Sequence, residues 1–213
     1  MTLLASLLVL ACGRLAARKA VRLSSKWAWT LPTLVYWASM LLLVILLAPA
    51  GAWANWFAAP QSGWGWAALA LGIGVAHLSF LFLNLKALRS GEGIAAWLLF
   101  AVANGFMEEL FWRGLVLQGL SSWAPWVAVL VASALFALNH PITFGPVSSS
   151  LRHPVTLVAA LCMGVAWSWV ALRTGSLWWP VLGHVLTNLG AMAGPVFLGL
   201  VVPPIGQNQK ASA

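Results

Sequence analysis

The stretch Asn104–Leu117 reads NGFMEELFWRGLVL and places two adjacent glutamates and one arginine in an otherwise apolar segment. A charge at the centre of a membrane-spanning helix costs about 2.5–3.5 kcal/mol on insertion scales, so such residues persist mainly where they pair or act. Residues four apart share one face of a helix, so Glu109 can form an ion pair with Arg113. Glu108 points about 100° away and needs a partner from a different helix.

The composition of the chain predicts a membrane protein. Of its 213 residues, 62% are hydrophobic, 7% are charged and 15 are Trp, whereas soluble domains carry about 25% charged residues. The net charge of +8 does not indicate a nucleic-acid partner, because the basic residues lie in short stretches beside apolar runs, as the positive-inside rule describes. We therefore predict an all-α, polytopic membrane helix bundle with about six to seven transmembrane helices around a polar pocket.

Apolar runs predict where the spans lie. Met1–Ala17 is either a short first span or an interfacial helix, and a basic stretch follows it. Asn104 and Gly105 are a candidate break in the span that carries the glutamates, and Pro141 is expected to end the span before it. The other predicted spans are Leu31–Ala48, Trp64–Leu85, Ile94–Leu117, Ala124–His140, Val155–Leu172 and Leu177–Leu200.

The distribution of Lys and Arg predicts the orientation of the chain. If the first basic stretch is cytoplasmic, alternation of the spans places nine basic residues inside and Arg173 outside. A loop containing Lys86, Arg89 and Glu92 is then cytoplasmic, and so is the C-terminus. The predicted parts are an apolar segment with a basic cytoplasmic stretch (1–30), two transmembrane helices (31–93), a helical core (94–200) and a cytoplasmic tail (201–213).

A few polar residues inside the later spans predict a common pocket. His140 ends the sequence FALNH, and His184 and Asn188 lie one turn apart in HVLTN. A single intramembrane histidine is often only a helix-packing hydrogen bond, and His77 is assigned to that structural class. Two further histidines, an asparagine and the unpaired Glu108 on three spans instead indicate that the bundle interior gathers them.

Three short motifs follow one another on separate predicted spans: EExxxR (Glu108, Glu109, Arg113), FxxxH (Phe136, His140) and HxxxN (His184, Asn188). In this order they resemble the CPBP family, which includes the type II CAAX prenyl endopeptidases and the bacterial Abi proteins. The resemblance covers about Ile94–Gly199. It implies an all-helical fold, intramembrane endopeptidase activity and a place in the bacterial inner membrane.

The resemblance also implies roles for the residues. Glu108, with His140, is assigned to the attacking water, and Arg113 is expected to keep Glu109 ionised. His184 and Asn188 can direct two donors at one developing oxyanion. Glu109 could instead share the catalytic work, because adjacent glutamates cannot be ranked by sequence.

No cofactor is expected, although zinc is the alternative. Glu108, His140 and His184 could ligate zinc and leave a position for water. Against zinc, the chain has no HExxH motif and its histidines are not paired on one helix. Glutamate-type catalysis is therefore preferred over a zinc metalloprotease.

The expected partners are the lipid bilayer and a protein or peptide substrate with a membrane-associated C-terminal segment. Cleavage of C-terminal tails of anchored or prenylated proteins fits the resemblance. A different class of function remains as the alternative: a non-enzymatic membrane protein, either a bacteriocin self-immunity protein or a proton-coupled transporter. Glu, His and Asn in a bundle core suit a proton relay.

Overall fold

The computed structural model describes residues 1–23, 27–61, 63–79, 81, 91–148 and 150–190. These residues form α-helices, two π-helical segments and one short 3₁₀ turn, with no β-strand among them, which confirms the all-α prediction. The α-helices, in chain order, are α1 (Thr2–Leu23), α2 (Trp27–Leu47), α3 (Ala52–Trp56), α4 (Trp64–Leu78), α5 (Gly91–Glu109), α6 (Pro125–Asn139), α7 (Pro154–Thr174) and α8 (Trp178–Gly190).

Several of these helices are suited to hydrocarbon surroundings. Within the described ranges, three segments are long and apolar enough to cross a membrane, and α4 is a shorter apolar helix. Large aliphatic side chains such as Leu46, which is 65% exposed, cover the outside of α2. Lipid tails rather than water suit such a surface. The chain is an integral membrane protein, and the three candidate spans among the described residues are Trp29–Leu47, Pro125–Phe144 and Pro154–Thr174.

The first helix is longer than predicted. Helix α1 continues past Ala17, through the basic residues, to Leu23. Long straight-chain side chains such as Arg and Lys are good helix formers, so the basic stretch does not end the helix. Arg14 donates from Nη1 to the carbonyl of Ile142 at 3.2 Å, so α1 also braces the segment that follows α6.

The predicted break at Asn104–Gly105 is wrong. Helix α5 runs through both residues to Glu109. Asn104 does not compete for the helix backbone, because its Oδ1 accepts from the indole of Trp37 at 2.9 Å. Gly105 instead allows close packing on α8, where an added Cβ would lie 2.9 Å from Cγ2 of Val185.

The helix changes geometry after the glutamates rather than before them. Residues Leu110–Leu117 form a buried π-helical segment that continues directly from α5. A π-helix hydrogen-bonds i to i+5 and often occurs at functional sites. The continuous helix Gly91–Leu117 therefore carries Glu108 and Glu109 about two thirds of the way along, with no loop beside them.

Pro141 does not end its span as predicted. Helix α6 passes into a second π-helical segment, His140–Phe144, which contains the proline. Proline lacks an N–H and clashes with an α-helical carbonyl, and the wider π-helical turn accommodates it. Thus His140 lies at a joint inside the span rather than at its end.

One further boundary differs from the prediction, and several others lie outside the residues that the structure describes. Glu92 was expected in a loop, but α5 begins at Gly91, so the backbone at Glu92 is helical. The neighbouring Lys86 and Arg89, the end of the predicted span Trp64–Leu85, and residues 191–213 lie outside the described residues. The division of the chain into parts therefore stays a prediction.

Glycines bring α8 close to α4. An added Cβ on Gly74 would lie 2.6 Å from the carbonyl oxygen of Gly183, and an added Cβ on Gly183 would meet the carbonyl oxygen of Ala70. Small residues let membrane helices approach until their backbones touch. The side chain of His184, next to this contact, is held at a fixed depth in the bundle.

Candidate active site

Glu109 is the centre of a closed ion-pair cluster. Its carboxylate is fully buried, at 0% exposure, and its Oε1 accepts from Nη1 of Arg113 at 2.8 Å. The predicted i, i+4 ion pair is therefore present. The guanidinium of Arg113 lies 4.4 Å from the ring centre of Phe136, so aromatic packing and the carboxylate both hold it.

Glu108 points away from that cluster and is held by different helices. Its Oε1 accepts from the hydroxyl of Tyr36 at 2.9 Å and lies 3.5 Å from Nδ2 of Asn139. Its Oε2 lies 3.3 Å from Nε2 of His184. The expectation that Glu108 finds its partners on other helices agrees with this geometry.

His184 bridges the two glutamates. Its Nδ1 lies 2.7 Å from Oε1 of Glu109, and its Nε2 faces Glu108. The ring stacks on Trp167, with centroids 4.7 Å apart and planes 25° apart. Since a carboxylate oxygen only accepts, Nδ1 carries the proton that Glu109 accepts, and by the same rule Nε2 bonds to Glu108 only when it too carries a proton or when Glu108 is protonated.

His140 is held by its own helix. Its Nδ1 lies 3.2 Å from the carbonyl oxygen of Phe136, and its ring meets the Phe136 ring edge-on at 5.3 Å. A carbonyl only accepts, so Nδ1 carries the proton and Nε2 is the basic nitrogen of the neutral ring. This tautomer suits a group that accepts a proton or a hydrogen bond from water.

Asn188 lies one turn from His184 on α8, as predicted. Its Nδ2 donates to the carbonyl oxygen of Ala101 at 3.3 Å. The same amide group therefore also links α8 to α5. An oxyanion role requires Nδ2 to exchange this carbonyl for the reacting group.

A single cavity joins these side chains. Its volume is about 440 Å³, within the range of small-molecule sites. His77, which was assigned a structural role, also lines it, with Nδ1 2.9 Å from the carbonyl oxygen of Ile73. The predicted site residues on its wall are Glu108, His140, His184 and Asn188.

The cavity leads to one end of the bundle. Ser150, in the short 3₁₀ turn before α7, and Thr156, in the first turn of α7, line it and are exposed and half-buried, respectively. Thr33, near the start of α2, lines it as well. The apolar side chains Trp29, Phe144, Leu151, Val155 and Met163 form much of the remaining wall. The site thus combines a polar inner end with a largely apolar approach.

Sequence reasoning missed the two residues that contact Oε1 of Glu108, Tyr36 and Asn139. Tyr36 lies in α2, a span read only as hydrophobic, and Asn139 directly precedes His140. Both are buried. Two signals were available, because Tyr36 is the single tyrosine of the chain and Asn139 is one of few amides within a span.

The candidate zinc ligands Glu108, His140 and His184 each have protein partners in the structure. In the part of the chain that the structure describes, no three His, Cys, Asp or Glu side chains are grouped to hold a metal ion. Both ring nitrogens of His184 already face carboxylate oxygens. Nδ1 of His140 is occupied by a backbone carbonyl.

Comparison with known proteins gives the class of protein. Residues 90–190 match the family model of Rce1-like type II CAAX prenyl endopeptidases, and every predicted site residue lies in that range. The fold and this match define a membrane protease of the CAAX type. This region of the chain is therefore similar to the Rce1-like family, which confirms the resemblance to the CPBP proteins. Searches of curated proteins and of solved structures gave no match.

Proposed function

We propose that the protein hydrolyses a peptide bond in or near the membrane, with Glu108 as the general base. The single observation that carries this proposal is the contrast between the two adjacent glutamates. Glu109 is closed off by Arg113 and His184, whereas Glu108 lines the cavity. A base must reach the water that it deprotonates, so the geometry favours Glu108 over Glu109.

In the proposed first step, a water between Glu108 and His140 attacks the carbonyl carbon of the substrate. The new C–O bond forms as the water proton moves to Oε2 of Glu108. The negative charge that develops on the carbonyl oxygen is stabilised by donors from Nδ2 of Asn188 and, when its ring carries both protons, Nε2 of His184. The C–N bond then breaks, and the leaving amine takes the proton back from Glu108.

Glu109 and Arg113 support this chemistry without touching the substrate. Glu109 accepts from Nδ1 of His184 and so fixes the ring orientation, as a carboxylate does for a catalytic histidine. Arg113 neutralises Glu109 at 2.8 Å. The proposal uses no metal, because the described donors do not converge on one point.

We assign the substrate to C-terminal tails of membrane-anchored or prenylated proteins. The cavity approach is lined by apolar side chains such as Leu151, Val155 and Met163, which suit a lipid-modified or membrane-embedded segment. The family match supports a peptide substrate and a membrane setting. The bilayer itself is therefore a partner of the reaction.

A purified, reconstituted enzyme tests the function. We expect it to cleave a synthetic peptide with a farnesylated cysteine three residues from its C-terminus, or the same peptide carrying a C-terminal apolar anchor. Mass spectrometry identifies the products, and a strong chelator should leave the rate unchanged. Loss of cleavage in chelator with recovery on adding zinc would overturn the metal-free mechanism. Failure to cleave either peptide would count against the proposed substrate class.

We further propose that the cavity opens to the cytoplasm. Arg14 of α1 bonds to the carbonyl of Ile142, and Phe144, two residues further on, lines the cavity, so this wall lies beside the basic end of α1, which is assigned to the cytoplasm. A reporter fused after Ala213 is expected to be cytoplasmic. As a control, a fusion after Gly175, in the turn between α7 and α8, should report the opposite side. A periplasmic signal from the fusion at Ala213 would reverse the orientation.

A further inference from the structure

A helix outside the family match contacts the proposed base directly. Helix α2 precedes the matched residues 90–190, yet its Tyr36 donates to Glu108. Tyr36 is 0% exposed, and its ring meets Phe144 edge-on at 5.5 Å. The hydroxyl is thus held in place by packing as well as by hydrogen bonds.

The hydrogen bonds of this hydroxyl fix the direction of its proton. A tyrosine hydroxyl has one proton and two lone pairs. Nε1 of Trp112 donates to it at 3.1 Å, and Nδ2 of Asn139 donates to it at 2.8 Å. Both lone pairs are therefore used, and the only proton is directed to Oε1 of Glu108.

The orientation of Asn139 is itself fixed. Its Oδ1 accepts from the hydroxyl of Thr143 at 2.8 Å, and its other amide atom faces both Tyr36 and Oε1 of Glu108. Because a carboxylate oxygen only accepts, the amide nitrogen suits that side. Thr143 lies in the second π-helical segment, and Gly13 of α1 packs directly on its side chain. The hydrogen-bond chain therefore runs from Thr143 through Asn139 and Tyr36 to Glu108.

The two oxygens of Glu108 consequently have different roles. Oε1 accepts from Tyr36 and lies near the amide of Asn139, so a proton gained by the carboxyl group goes to Oε2. Oε2 is the oxygen beside Nε2 of His184. Tyr36 cannot relay a proton itself while its hydroxyl makes all three of its hydrogen bonds.

We propose that Tyr36 is a positioning residue for Glu108, which holds Oε1 as an acceptor and leaves Oε2 to take the proton from water. This inference rests on the proposed role of Glu108 as the base. It assigns a part of the active site to α2, ahead of the family domain. The region 31–93 is then a contributor to turnover rather than only a membrane anchor.

Removing the hydroxyl alone is the first test. Tyr36→Phe keeps the ring that packs on Phe144 and removes the donor to a charged group, so kcat should fall about 10–100-fold with KM little changed. Ser133→Ala is the matched control, because Ser133 is also a buried hydroxyl but contacts Ser168 at 3.5 Å. We expect that control to keep the wild-type kcat. Rates are compared per folded molecule, with thermal unfolding measured alongside.

The single tyrosine allows a second, independent test. Supplying 3-fluorotyrosine during expression labels only position 36, because the chain has one Tyr. The fluorinated protein retains its hydroxyl and should keep kcat within a few-fold of wild type. Its ¹⁹F resonance should move on Glu108→Gln and stay in place on Ser133→Ala.

The outcomes separate this inference from the proposed function. A wild-type kcat in Tyr36→Phe, or equal losses in kcat for Tyr36→Phe and Ser133→Ala, would overturn the positioning role. A ¹⁹F resonance that does not shift on Glu108→Gln would overturn the contact between Tyr36 and Glu108. If the wild-type enzyme cleaves neither peptide, the proposed substrate class fails, while the resonance still decides whether Tyr36 is coupled to Glu108.

Discussion

Glu108→Gln is expected to abolish turnover and to leave substrate binding within a few-fold of wild type. Glutamine keeps an oxygen that can accept from Tyr36, so the local packing should survive. It replaces the second carboxylate oxygen with an amide nitrogen, which cannot accept a proton from water. General-base catalysis contributes about 10²–10⁴ in rate, and the loss should fall in that range or beyond.

Single-turnover cleavage of the farnesylated peptide in liposomes measures this effect, and a pull-down of the same peptide measures binding. Ser133→Ala, which leaves Glu108 untouched, serves as the control. A rate above about one hundredth of wild type would contradict Glu108 as the base. Full cellular function in the glutamine variant would favour the non-enzymatic alternative, a self-immunity protein or a transporter.

Arg113→Ala is expected to lower stability as well as activity. Glu109 has 0% exposure, and the substitution removes the cation at 2.8 Å from its Oε1. Breaking a buried pair by removing one partner typically costs about 3–5 kcal/mol. The same change removes the guanidinium that lies over Phe136, so helix packing weakens along with the charge balance.

Thermal unfolding in detergent, followed by tryptophan fluorescence, measures the loss. Arg173→Ala is the matched control, because Arg173 also lies in a long helix but is exposed near its end, with its guanidinium 5.7 Å from the Trp169 ring centre. We expect a much smaller shift for that variant. An unchanged unfolding temperature in Arg113→Ala would mean that the ion pair does not stabilise the bundle.

The helices could be predicted because their apolar content exceeds what a soluble domain tolerates. Their internal geometry could not. Asn104 and Gly105 have the composition of a break, but contacts with Trp37 and Val185 keep them helical. Leu110–Leu117 contains no proline that would indicate its π-helical geometry, whereas Pro141 predicted a disturbance of its helix but not that the chain would continue as a π-helix.

The candidate site was predictable to the extent that polar residues are rare in these spans. His184 and Glu108 stand out in apolar surroundings, and they do meet. The pairing of His184 with Glu109 through its other nitrogen depends on the depth at which α8 packs, which no spacing along the chain encodes. Tyr36 was missed because an aromatic residue is ordinary in a membrane span, and the hydrogen-bond partner of its hydroxyl is known only from the structure.

The cavity also determines how the second reactant is supplied. Hydrolysis consumes one water per turnover, and hydrocarbon is a poor source of it. A water molecule takes up about 30 Å³ in the liquid, so a space of about 440 Å³ has room for on the order of ten. Water held in this space beside Glu108 would supply the reaction without crossing hydrocarbon, and the rate should therefore be independent of how readily the surrounding lipid lets water through.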